Sequence, residues 1–209
     1  MKGGRIPPKD PSIFHITHVE NLVGILREGG LWCDSQRIAR ELVSTNIGHR
    51  HIKERRLQRQ VMTAAGGTLG DYVPFNFCPR SVMLYVVHRG HQGYEGGQDG
   101  IVHLVSSVRQ AVALGGPWAF SDRHAELAYA RHFDDLEHLD QVRWNVMANQ
   151  YWQDVAEARQ AEFLVRERFP WTAIREVAVR SLPTQQRVER ILADADHRPF
   201  ISITPEWYY

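Results

Sequence analysis

Cysteine is nearly missing: Cys33 and Cys78 are the only two in 209 residues. A lone, distant pair makes no disulfide framework, and with no CxxC or spaced Cys/His set there is no sign of structural zinc. Lysine is almost as scarce, at Lys2, Lys9 and Lys53, so arginine supplies nearly all the positive charge. No apolar run approaches the ~18 residues that a membrane span needs. The opening MKGGRIPPKD is charged and has no apolar stretch, which argues against a secretory signal. Internal repeats and low-complexity segments are absent. So are GxGxxG and GxxxxGK[ST], which speaks against Rossmann and P-loop nucleotide sites. The net charge of +1 names no partner. What is present, 43% apolar and 10% aromatic residues, is enough for a proper core. A globular protein of a reducing, cytoplasmic compartment is expected.

Residues 1–11, with Pro7, Pro8 and Pro11, read as a loose lead-in to a single domain over 12–209. SIFHIT alternates as a short strand. Thr17 and Glu20 have capping-box spacing ahead of the apolar positions Val19, Leu22, Val23 and Leu26, and Gly29 and Gly30 close that helix. LWC suggests a second strand, followed by helix to about Val43. Residues 44–71 join a basic segment, HRHIKERRLQR, to the glycine-rich TAAGGTLGD, too long a stretch for a passive connection. The glycine loop suits close approach to a phosphate as well as it suits a plain turn. YVPFNF is strand-like, with Pro74 favouring an edge or bulge. Ser81 is placed to cap a helix over VMLYVVH, although the β-branched residues leave strand open. IVHLVSS and WAFSD read as strands, with a helix at VRQAVALGG between them, and 125–159 as mainly helical, broken near Asn149 to Asp154. QAEFLVRE, IREVAVRS and PFISIT supply three more strands, with a helix at 184–194. Short strands joined without regular crossover helices indicate an α+β fold with a split, two-sheet core and peripheral helices.

Two features carry chemistry. Glu162 sits within the apolar strand Ala161–Val165, where a carboxylate is costly unless it is paired or used. An edge-strand glutamate facing water is the plain alternative. In HIKERR, Arg55 or Arg56 must face inward if the segment packs as a helix; a solvated basic face is the alternative there. His15 and His18 stand three apart in HITH, with no HExxH and no matching carboxylates, so no metal is expected.

HITHVENLVGILREGGL, HIKERR, DYVPFNFCPRSVMLY, HLVSS, FSDRHA, QAEFLV and the terminal WYY, in this order from about Ser12 to Tyr209, resemble the DarT-type DNA ADP-ribosyltransferases. That family comprises bacterial toxins paired with a macrodomain antitoxin of the DarG kind. The resemblance implies an ADP-ribosyltransferase fold gripping NAD, with no metal. It implies that His15, Ile16 and Thr17 hold nicotinamide and its ribose, and that Gly24 and Trp32 line the cofactor, Trp32 standing where the family often has an aliphatic residue. Arg56 matches the catalytic arginine and Glu162 the catalytic glutamate, and 124–162 matches the substrate-recognising loop.

By that likeness the acceptor is a base of single-stranded DNA, usually thymine through its ring nitrogen. Glu162 would stabilise the oxocarbenium-like ribose, the charge problem that glycosidases also face. Arg56 would bind pyrophosphate or steady a deprotonated base, because an ordinary arginine, with a pKa above ~12, is a poor general base. Arg80, His124, Tyr151 and Trp152 are the candidate DNA contacts, combining aromatic platforms with charge. A monomer is expected. The alternatives are an ADP-ribosyltransferase acting on guanine, RNA or protein, and a non-catalytic nucleic-acid-binding domain, for which the basic segment alone would suffice.

Overall fold

The computed structural model describes residues 6–91, 93–149 and 151–209. The chain begins with β1 (Ser12–His18), α1 (Asn21–Arg27), β2 (Gly30–Trp32), α2 (Asp34–Ala39) and α3 (Arg50–Arg56). β3 (Tyr72–Asn76), α4 (Val82–Arg89), β4 (Ile101–Ser107), α5 (Val108–Ala113), β5 (Trp118–His124) and β6 (His132–Phe133) follow. The last part holds α6 (Ala156–Arg159), β7 (Ala161–Arg166), β8 (Arg168–Pro170), β9 (Glu176–Val179), α7 (Leu182–Ile191) and β10 (Phe200–Ile203).

Eight strands form one mixed sheet in the order β10-β9-β4-β1-β3-β7-β5-β6, and β2 and β8 form a small second sheet. All neighbours are antiparallel except β9 and β10. The large sheet is split at its centre. β1 pairs with β4 along its whole length, yet meets β3 at one register pair, Phe14 with Asn76. Pro74 explains the seam. The N–H and C=O of a strand residue point to the same side. The Pro74 carbonyl faces β1, where it lies 2.8 Å from His15 Nδ1, so the missing amide of proline falls on that side too. Pro74 therefore sits neither at an edge nor at a bulge, but where two half-sheets part.

One face of the sheet buries Ile13, Val73, Phe75, Leu104, Phe163 and Val177 against Leu22, Leu31, Phe169, Trp171 and Val188. These contacts place α1 and the β2–β8 pair over the seam and α7 over β9 and β10. Two expectations fail locally. Thr17 stays in β1, its hydroxyl accepting from Asn21 Nδ2 at 3.0 Å, so no capping box forms at α1. Residues 125–159 are mostly irregular, with 3-10 turns at Leu136–Gln141, Trp144–Val146 and Gln153–Val155 and only α6 as α-helix. Ser81 does cap α4, its Oγ accepting from the Leu84 amide at 3.1 Å.

Candidate active site

The parting of β1 from β3 opens a cleft of about 290 Å³. Its walls are β1, α1, β2, the 42–49 loop, α3 and one side of α4. His15, Ile16, Thr17, Gly24, Trp32, Arg56, His124 and Glu162 all line it.

Glu162 lies at the floor, 6% exposed, on β7 opposite Asn76 of β3. β7 is an interior strand and its residues 161–165 are all buried, so both of its faces are covered and alternation leaves no solvent side for Glu162. Arg56, 9% exposed, comes from the last turn of α3, 106 residues away in sequence. Its Nη1 lies 2.9 Å from Glu162 Oε2 and 3.1 Å from Oε1, while its Nη2 is buried without a protein acceptor. The helix turns the neighbouring arginine outward, and Arg55 pairs with Glu126, donating from Nη2 at 3.0 Å. That bond holds the Glu126 carboxyl below its ordinary value. The turn after β5 completes the floor. The Ala125 amide donates to Glu162 Oε1 at 3.4 Å, and the Glu162 amide donates to Ser121 Oγ at 3.1 Å.

His15 forms the seam wall. Burial pushes its imidazole down to about 4, so it is neutral at pH 7. Its Nδ1 bonds a carbonyl and therefore carries the proton, which leaves Nε2 as an acceptor. Gly24 contributes empty space on the α1 wall, since a Cβ built there meets nothing within 4 Å. Trp32 lies between two guanidinium groups, Arg40 at 3.8 Å and Arg168 at 5.2 Å, and its Nε1 is buried without a partner.

The sequence reading missed three lining groups. Asn21 pins the 42–49 loop to α1: its Nδ2 donates to the Thr45 carbonyl at 2.9 Å and its Oδ1 accepts from the Thr45 amide at 2.7 Å. Arg37 and Lys53 share Asp34, at 3.0 and 3.7 Å, and burial pushes the Lys53 ammonium below its ordinary value. With Arg56 they bring three cations to the cleft against two carboxylates, Asp34 and Glu162, a net positive charge that suits phosphate. Nothing in the spacing of Asn21, Arg37 and Lys53 marks them; they become neighbours only when α2 and α3 fold over the cleft.

Arg80, Tyr151 and Trp152 lie outside the cleft. Arg80 covers the Tyr209 ring at 4.3 Å, and Trp152 meets Tyr85 edge-on at 5.3 Å. Tyr151 is 94% exposed. This aromatic group borders the cleft through α4, which presents Val82, Met83 and Val86 to the cleft and Tyr85 to the aromatic group. Among the described residues, no group of three or more His, Cys, Asp or Glu side chains is placed to hold a metal ion, and no helix is long and apolar enough to cross a membrane.

The site is thus a cleft in a split, mostly antiparallel sheet, with a buried glutamate on its floor and cations on its wall. Residues 14–209 match the family described as "ssDNA thymidine ADP-ribosyltransferase, DarT". A DNA ADP-ribosyl transferase of Thermus sp. (strain 2.9) is 44% identical over 210 residues, which cover 98% of this chain and 99% of that protein. The structure of Thermus sp. 2.9 DarT with ADP-ribosylated single-stranded DNA superimposes with a TM-score of 0.93 at 42% identity, covering 99% of this chain and all of that one. The NAD+ complex of the same protein gives 0.87 at 41% identity, over 98% of this chain and all of that one. The chain belongs to the DarT family of DNA ADP-ribosyltransferases.

Proposed function

We propose that this chain transfers ADP-ribose from NAD to a thymine base of single-stranded DNA, as the toxin of a toxin–antitoxin pair. One observation carries the reading: Arg56 and Glu162, 106 residues apart, meet at 2.9 Å on the buried floor of a cleft with a cationic wall. Family membership and likeness to a relative solved with NAD+ and with ADP-ribosylated single-stranded DNA support it. The residues present also fit NAD. Arg56 Nη2 and Trp32 Nε1 are buried donors that lack acceptors, and Gly24 leaves room where a side chain would stand.

Bound NAD supplies a ribose carrying nicotinamide as a leaving group. Glu162 accepts from the ribose 2′-hydroxyl and sets a negative charge beside the sugar as positive charge develops on it. His15 offers Nε2 to an amide donor of the nicotinamide, and Ile16 and Thr17 continue that wall. Arg37 and Lys53 face the pyrophosphate. Arg56 aims Glu162 through its Nη1, and its free Nη2 steadies an acceptor base that has lost its ring proton. His124, at the end of β5, stands on the acceptor side, where the aromatic group around Trp152 offers stacking surfaces to an unpaired strand. A macrodomain protein is the antitoxin in this reading, and the active form is a cytoplasmic monomer that requires no metal.

The test is labelled NAD with matched oligonucleotides, with or without thymine and with or without a complementary strand. Label on thymine-containing single strands alone is the expected result. A duplex hides the acceptor edge, and extruding a base costs a few kcal/mol. Equal labelling of duplex and single strand, or undiminished labelling without thymine, overturns the reading.

A further inference from the structure

Arg159 is the largest fully buried side chain of the described residues, 1% exposed, and it lies in no ion pair with an acidic side chain among them. A buried guanidinium without a carboxylate is unusual, because an unpaired charge in the interior is strongly disfavoured. Main-chain carbonyls take up its charge instead. Nη1 lies 2.9 Å from the carbonyl oxygen of Val146, 2.8 Å from that of Met147 and 2.7 Å from that of Asn149, and Nη2 donates to the Arg80 carbonyl at 2.7 Å.

These carbonyls belong to two segments with no ladder between them. Val146, Met147 and Asn149 lie in the irregular stretch leading to Trp152, where the Val146 oxygen also accepts a turn bond from the Asn149 amide at 3.2 Å and neither helix nor strand among the described residues takes up those of Met147 and Asn149. Arg80 ends the turn between β3 and α4, and its carbonyl also accepts from the Tyr209 hydroxyl at 3.1 Å. Arg159 itself ends α6, three residues before Glu162. One guanidinium thus joins the loop that presents Trp152, the turn that sets α4, and the strand that carries the floor carboxylate.

We propose that Arg159 is a positioning residue for the acceptor: it fixes residues 146–149 against the 77–81 turn so that single-stranded DNA is held beside Glu162. The inference rests on the DNA-acceptor reading above. A side chain needed only for volume would be apolar at this site, and a fork of charged donors is what inward-facing loop carbonyls require. Arg159 does not line the NAD-binding cleft, so its loss acts on DNA and leaves NAD binding in place.

The experiment compares the full chain with Arg159→Met and Arg159→Lys, measuring KM for a thymine-containing single-stranded oligonucleotide and, separately, Kd for NAD. Arg159→Met is expected to raise the DNA KM at least about tenfold, the scale of losing one or more charge-assisted bonds, while NAD Kd stays within about twofold of wild type. Arg159→Lys, which keeps the charge but reaches fewer carbonyls, is expected to recover part of the loss. If Arg159→Met fails to fold, the lysine variant decides alone, through a raised DNA KM with NAD Kd unchanged. An unchanged DNA KM, or parallel loss of NAD and DNA binding, overturns the proposal. Absence of label on single-stranded DNA with the wild-type chain refutes the acceptor reading and this inference with it; normal wild-type labelling with an unmoved variant KM refutes this inference alone.

Discussion

Replacing Glu162 by glutamine keeps the shape of the floor and removes its charge. A full charge about 4 Å from a developing ribose cation is worth about 4 kcal/mol at an effective dielectric near 20. Arg56, 2.9 Å from the carboxylate, cancels part of that field, so the expected rise in barrier is about 3 kcal/mol. At 1.36 kcal/mol per decade, this slows the chemical step roughly 100-fold. The assay is single-turnover labelling of a thymine-containing single strand at saturating NAD, with NAD affinity followed separately by thermal shift. The substituted amide can still accept from Arg56, so NAD affinity is expected to hold within about threefold while the rate falls. A labelling rate within threefold of wild type, or a fall accounted for wholly by lost NAD binding, refutes the assignment of Glu162 to the developing charge.

Gly24→Ala is expected to act in opposite directions on two measurements. In a helix with open space around its Cβ, alanine should stabilise the fold by about 0.5–1 kcal/mol, seen as a higher urea midpoint, yet raise KM for NAD because the methyl enters the cleft; an unchanged KM would remove Gly24 from the cofactor wall. Acid should destabilise the fold through His15 and His103, whose imidazoles burial pushes down to about 4 each. Both are neutral when folded at pH 7, and between pH 6.5 and 4 the unfolded chain takes up the proton first. Stability is therefore full above about pH 6.5 and falls as pH drops towards 4, by about 3 kcal/mol for each group. His103→Gln should make that decline in urea midpoint shallower, and an unaltered slope would contradict the buried neutral imidazole. Labelling in EDTA should match labelling in its absence; loss restored by one divalent ion would contradict a site without metal ligands.

Much of the site was legible because its signals are local and costly. A carboxylate amid Ala161, Phe163, Leu164 and Val165 asks for a partner, and a seven-residue basic helix must turn one arginine inward. The strands β1, β3, β4, β5, β7, β9 and β10 were visible from alternation or continuous apolarity. What failed depended on tertiary competition. The Thr17 hydroxyl was taken by Asn21 before it could cap α1. The stretch 125–159, read as mainly helical, gave short 3-10 turns and one α-helical turn, and near its end the carbonyls of 146, 147 and 149 turn inward to Arg159. Nothing in the sequence marks Arg159 out among the other arginines. The seam was hidden as well, since Pro74 announces a missing donor but not which neighbour goes without it.

The two half-sheets are interleaved along the chain: β1, β4, β9 and β10 make one, and β3, β5, β6 and β7 the other. β7 must insert between β3 and β5, strands already made when it emerges from the ribosome, and only then does Glu162 reach Arg56. On the other side β9 closes against β4, and the penultimate residue, Tyr208, seals that edge by donating to the Ile101 carbonyl at 3.0 Å. A fragment that stops before β7 therefore lacks the floor carboxylate of the cleft, although it already holds the strands on either side of that gap.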